Sequence, residues 1–424
     1  MRGIHKGWMI LTLLFFTMLA SLGFGRFSLG AILPFMREGI GLDYKEMGFV
    51  ASAAFIGYLI SVAVVGYFVI RFGSKLVINI SLFIIIIGMI ICANAVSFSF
   101  ALLGCLLLGV GSGGSSIPAM GLAGKWFSNK KKGMAIGIAM GGVGLGIVIS
   151  GLLVPSIVSM SVEGWRFSWY ILALVTSVFI FINALFLKNA PEDIGLKSVG
   201  EGEIVNRNVT SNLESPIEGG GDKTVYRNKK VWVIGFIYLS WGFSYLVFST
   251  FLVDYLMIDV GYTKELAGLF FSIAGIASIA SGFIWGVLSD ILGRMYALSL
   301  VLIIQFAMLI ALSFTNSVVV IGAEVVIYGL TLWGVPTIMN ASVADFVSSS
   351  TVPIAMGFVT IFFSVGQIIS PIVTGLIIES TNQYFGAFIL SAVISLIGGL
   401  TCLRMHYIQH AKQRLYLKSD NVNM

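Results

Sequence analysis

An arginine inside an otherwise apolar run is the residue of this sequence that most needs a chemical reason. The segment SLGFGRF (21–27) puts Arg26 there. At bilayer depth an arginine costs at least ~2.5–3.5 kcal/mol, so it must face a cavity or a partner. Its guanidinium is always charged and presents a forked set of donors that matches a carboxylate. Two readings stand: Arg26 binds an anionic ligand, or it pairs with a buried acid or carbonyls. Glu324 is the only acid well inside an apolar run. A buried glutamate can carry a proton near neutral pH; it reads equally as a partner for Arg26 or as a residue near the headgroups. Asp254, near the end of its run, reads as interfacial.

Other chemistries lack their parts. The three histidines, His5, His406 and His410, lie outside the apolar runs. The i, i+4 pair His406 and His410 has no third ligand, so no metal is expected. Cys92, Cys105 and Cys402 form no spacing motif and no disulfide framework. Paired acids and a nucleophile with its base are missing, which disfavours an enzyme. No G-x-x-x-x-G-K-[ST] is present, which disfavours ATP drive. No cofactor and no nucleic-acid partner are expected.

The elements that must carry these residues are membrane spans. Of 424 residues 58% are hydrophobic and only 10% charged, against about 25% charged in soluble domains. With about twenty apolar residues per crossing, the chain divides into all-α spans at 8–33, 49–70, 76–96, 99–120, 133–158 and 165–187. Six more follow at 231–256, 266–288, 296–314, 318–339, 354–378 and 384–403. The expected domains are a six-helix bundle over 1–187, a flexible linker over 188–230, a second bundle over 231–403 and a tail over 404–424. With the N-terminus inside, 20 of 25 basic residues fall on the cytoplasmic side and four outside. Both termini and the linker are therefore expected in the cytoplasm. The first run is too long for a cleaved signal peptide.

The two halves repeat at an offset of 220 residues. Gly48 matches Gly268, Ser52 Ser272, Ser61 Ser281, Gly66 Gly286, Gly73 Gly293, Gly137 Gly357, Gly146 Gly366 and Ser150 Ser370. Such repeats in membrane chains point to transporters. This organisation resembles the major facilitator superfamily, which implies an all-α integral membrane fold of twelve transmembrane helices in two pseudo-symmetric six-helix bundles. GYFVIRFGSK (66–75) is similar to that family's loop pattern G-x-x-x-D-[RK]-x-G-x-[RK]. Gly66, Arg71, Gly73 and Lys75 match, and Ile70 replaces the acid. In the second half Gly286, Asp290, Gly293 and Arg294 match, and Ile291 replaces a basic residue. The resemblance implies a cytoplasmic gate at these loops; Arg71 and Lys75 read alternatively as topology anchors. KWFSNKKKG (125–133) with the glycines around it resembles the monocarboxylate and oxalate–formate branch.

In this family spans one and seven face a central site. The resemblance then sets Tyr245 of SWGFSYL (240–246) opposite Arg26. It implies cavity-lining roles for Trp241, Tyr328, Trp333 and Gln367, with Phe55 and Tyr58 as further candidates; each reads alternatively as packing or as an interfacial aromatic. The expectation is a monomeric, multi-pass protein of a bacterial-type inner (plasma) membrane. It moves a small organic anion, a monocarboxylate, by alternating access, with protons as the candidate coupling ion through Glu324. The alternative is a proton-driven multidrug or metabolite exporter of the same fold, which would not need Arg26.

Overall fold

A computed structural model describes residues 5–128, 131–200, 222–348 and 351–420, with the side chains of 222–224, 353 and 410–420 outside the description. Twelve helices among these residues are long and apolar enough to cross a membrane. They run Lys6–Ile40, Tyr44–Phe72, Ser74–Ala93, Phe98–Trp126, Lys132–Met160 and Gly164–Phe186, then Lys229–Ile258, Lys264–Leu292, Arg294–Leu312, Val318–Val343, Ile354–Thr381 and Phe385–Gln409. We number them spans one to twelve. A helix satisfies every backbone polar group within itself, which lipid demands.

Where spans begin and end, the local residues supply the reason. Span one stops at Gly41, in left-handed backbone with φ 77°. Span two starts with a capping box: the Asp43 carboxylate accepts from the Glu46 backbone N–H at 2.6 Å, and the Glu46 carboxylate accepts from that of Asp43 at 3.3 Å. Two spans depart from a plain α-helix. Span one widens into a π-helix over Leu19–Phe27. Span ten breaks between Gly329 and Gly334.

By their contacts the residues form two compact units. The first comprises Met1–Ser215, Ser249–Ile279 and Pro371–Tyr384. The second comprises Pro216–Phe248, Ala280–Ser370 and Phe385–Met424. The first unit thus draws in pieces of spans seven, eight and eleven. Glycines make its close approaches: a Cβ on Gly146 would sit 2.4 Å from Gly23 Cα, and one on Gly48 2.3 Å from the Pro371 carbonyl oxygen. In the second unit the repeat mate of Gly146 does the same work, since a Cβ on Gly366 would meet the Leu239 carbonyl oxygen at 2.4 Å.

The described ends of the linker differ from a free chain. The Asn189 side chain accepts from the Lys75 backbone N–H at 2.7 Å. Val199 forms an isolated parallel bridge with Phe127. Residues 201–221 lie outside the described residues.

Candidate functional site

Arg26 occupies the π-helical segment of span one and is 7% exposed. Wide turns of this kind concentrate at functional positions. A lattice of serine hydroxyls fixes the segment. Ser21 Oγ donates to the Ser112 carbonyl at 3.1 Å, Ser112 Oγ to the Ser21 carbonyl at 2.7 Å, and Ser115 Oγ to Ser21 Oγ at 2.6 Å. Gly23 lets the same stretch touch Gly146 of span five.

The Arg26 guanidinium lies over the rings of Phe55 and Tyr58, 4.4 and 4.5 Å from their centroids, with Phe27 at 5.6 Å. Cation–π contacts of this kind hold a desolvated charge. Nε and one terminal nitrogen are buried and donate to no protein atom. The cluster therefore holds a positive charge with unused donors, as an anion site needs. Phe55 and Tyr58, read from the sequence as further candidates for lining a cavity, lie against Arg26. Ser112 and Ser115 escaped notice, because a serine in a small-residue stripe carries no sign of its partner.

In the second unit, Trp241, Tyr245 and Gln367 come together. The Trp241 and Tyr245 rings stack at 4.5 Å, and Phe363 stacks on Trp241 at 5.2 Å. The Gln367 amide donates to the Tyr245 hydroxyl, while its own carbonyl oxygen is buried without a hydrogen bond. Phe363 was not foreseen, since one phenylalanine among 32 carries no distinguishing signal.

Tyr328 stacks on Phe248 at 4.0 Å and shares a narrow crevice with Glu324, Met308, Leu309, Leu312 and Val325. Glu324 is 7% exposed, and its Oε2 has no hydrogen-bond partner. Trp333 lies at the break of span ten, its backbone N–H donating to Ser281 Oγ at 3.0 Å.

The two glycine loops share their backbone geometry. Gly73 and Gly293 take φ 81° and 88°, which glycine adopts without strain. Gly66 has open space where a side chain would stand, and Gly286 has only the Thr337 methyl at 3.5 Å. The side chains differ. Arg71 donates to the Tyr67 hydroxyl at 3.1 Å, and Ile70 is 89% exposed. Arg294 pairs with Asp345 at 2.6 Å and donates to the Ala341 carbonyl, while Asp290 is exposed. Lys75 is held through its backbone by Asn189.

The expectation for Asp254 needs correction. It is fully buried in the first unit, not interfacial. Tyr384, from the turn after span eleven, donates its hydroxyl to Asp254 Oδ2. Phe251, Tyr255 and Tyr44 surround the Tyr384 ring at 6.3, 6.1 and 6.0 Å. The Tyr384 backbone N–H donates to Asp259 at 2.8 Å. Asp259 lies just beyond span seven, where partial burial raises its carboxyl above the ordinary range against the opposing effect of that bond. Distance along a span does not show which side chains from elsewhere will cover it.

Twelve spans, two matching glycine loops and a charged residue inside an aromatic cluster define a membrane carrier. The chain belongs to the Major Facilitator Superfamily, whose family model matches residues 15–347. It is a multi-pass transporter and not an enzyme. Among its relatives is the hexuronate transporter of Bacillus subtilis (strain 168), 24% identical over 401 residues that span 89% of this chain and 90% of that one. Another is a probable sulfoacetate transporter of Cupriavidus necator, 25% identical with 89% of each chain covered. A solved structure of a bacterial homologue of the human lysosomal transporter Spinster, inward-facing and unoccupied, aligns with a TM-score of 0.76. At 16% identity it covers 94% of this chain and 97% of its own, and it speaks to the fold.

Proposed function

We propose that the protein is a secondary active transporter that moves a small organic anion, with a monocarboxylate as the substrate class, by alternating access. The observation that carries this reading is Arg26: buried, over the rings of Phe55 and Tyr58, with unused donors. A carboxylate accepts two parallel hydrogen bonds from such a fork. The two relatives, a hexuronate transporter and a probable sulfoacetate transporter, agree with an organic-anion substrate. In this reading Tyr245, with Gln367, Trp241, Tyr328 and Trp333, contacts the remainder of the substrate, and Glu324 carries the coupling proton. The Gly66–Lys75 and Gly286–Arg294 loops form the gate on the cytoplasmic side of an inner (plasma) membrane. The excess of basic residues supports placing both termini on that side.

The test is ligand-induced thermal shift on purified variants. Arg26→Ala should lose a charge-assisted contact of about 1.5–3 kcal/mol, roughly 10- to 100-fold in affinity. Arg26→Lys should also bind weakly, because an ammonium is a point charge and not a fork. A well-folded Arg26 variant with wild-type affinity for carboxylates would remove Arg26 as the anchor.

A further inference from the structure

The two glycine loops are held in place by different means. At the second loop Arg294 pairs with Asp345 at 2.6 Å and donates to the Ala341 carbonyl, both within the second unit. At the first loop Ile70 stands at the acidic position of the pattern and is 89% exposed. Arg71 donates to the Tyr67 hydroxyl, one turn back on its own helix. Among the described residues no ion pair involves Arg71 or Lys75. Charge pairing therefore does not fix the first loop.

The start of span three needs an acceptor as well. A helix begins with backbone N–H groups that have no partner within it, and the side chain of the residue before it usually accepts one. Here that residue is Gly73, which has no side chain. The acceptor comes from 114 residues further on: Asn189 Oδ1 takes the Lys75 backbone N–H at 2.7 Å. Lys75 is the second residue of span three, the position an N-terminal cap serves. The Asn189 amide also fills the space a side chain on Gly73 would claim, since a Cβ there would lie 2.9 Å from Asn189 Nδ2. At Gly293, the repeat mate of Gly73, nothing lies within 4 Å of an added Cβ.

Asn189 is itself fastened on both sides. Before it, the Lys188 carbonyl accepts from Trp126 Nε1 at 3.3 Å. After it, the chain turns through Glu192–Ile194 and Gly195, at φ 67°, and returns to the end of span four. There the Val199 backbone N–H donates to the Trp126 carbonyl at 2.9 Å, and the Val199 carbonyl accepts from the Ser128 N–H at 3.1 Å. The Val199 side chain lies against Gly7, where a Cβ would meet it at 2.4 Å. The first residues of the linker thus tie the start of span three to the end of span four and the start of span one, all within the first unit.

We propose that Asn189 is the positioning residue of the first gate loop: from the linker it supplies the cap that Gly73 cannot, and it gives the loop the fixed shape that Arg294 and Asp345 give the second. The proposal rests on the reading of these loops as a gate, and uses neither the Arg26 anchor nor the identity of the substrate.

The experiment has two arms on the full-length protein in lipid. In the first, hydrogen–deuterium exchange is followed by mass spectrometry without substrate. The first turn of span three should exchange about 2- to 30-fold faster in Asn189→Ala than in the wild type, as loss of a helix cap implies. Asn189→Asp keeps an acceptor at a helix start, where negative charge is favoured, and should exchange as the wild type does. The first turn of span nine should not change in either variant. Asn189→Leu, similar in size and without an acceptor, takes the place of Asn189→Ala if that variant does not fold. In the second arm, uptake of small carboxylates into proteoliposomes is measured. Asn189→Ala should lower the maximal rate several-fold while the half-saturating concentration stays within about twofold, and Asn189→Asp should restore the rate. Wild-type exchange in Asn189→Ala would overturn the proposal. So would faster exchange with an unchanged maximal rate, which would make the contact structural only, or a failure of Asn189→Asp to rescue. Absence of carboxylate uptake by the wild type would count against the organic-anion reading instead, and the exchange arm with its rescue by aspartate would then decide alone.

Discussion

Arg26 was conspicuous in the sequence because a charge inside an apolar run needs a reason, whatever surrounds it. The rings of Phe55 and Tyr58 that lie against it stood out less, and the serines that hold its segment did not stand out at all. Their roles depend on which helix lies opposite, which one span's composition does not record. Asp254 shows the same limit from the other direction: its place near a helix end suggested the interface, while Tyr384, 130 residues later, buries it. A prediction at this scale concerns the pair Tyr245 and Gln367, whose side chains meet in the second unit. Tyr245→Phe removes one neutral hydrogen bond, a loss of about 0.5–1.5 kcal/mol. Ligand affinity by thermal shift should fall less than tenfold and much less than in Arg26→Ala. A loss equal to that of Arg26→Ala would make Tyr245, not Arg26, the main anchor.

The glycines separate the elements into those that touch and those that do not. Gly146 and Gly366, repeat mates, both lie against a neighbouring backbone, whereas Gly137 and Gly357, also repeat mates, have nothing within 4 Å of an added Cβ. The repeat was legible as identity at a fixed offset, but the contact made by each glycine was not. Alanine at Gly146 or Gly366 should overpack the contact by about 1–3 kcal/mol and lower the melting temperature of the purified protein. Alanine at Gly137 or Gly357 adds a methyl to open space and removes helix-interior glycine, which costs about 1 kcal/mol relative to alanine, so stability there should hold or rise. Equal destabilisation at all four positions would mean that helix flexibility, not close packing, is what these glycines provide. Span boundaries were readable from hydropathy to within a few residues at most ends. The π-helix of span one and the break of span ten were not, since both arise where backbone yields to packing against other spans.

For the whole molecule, composition and the internal repeat sufficed to predict a twelve-span transporter. Substrate chemistry rests on fewer residues, and coupling on one, Glu324. If Glu324 carries the driving proton, Glu324→Gln should lose pH-driven accumulation while retaining exchange of substrate at equal pH on both sides, because the amide keeps the shape and cannot release a proton. Unchanged gradient-driven uptake in that variant would take Glu324 out of the coupling step. The most direct measurement of the central claim is uptake into proteoliposomes holding the wild-type protein, with a panel of small carboxylates beside their neutral amides and a set of drug-like cations. Saturable uptake of carboxylates is expected, with none of the matching amides, and accumulation only with a pH gradient across the membrane. Transport of the drug-like compounds with no carboxylate uptake would contradict it.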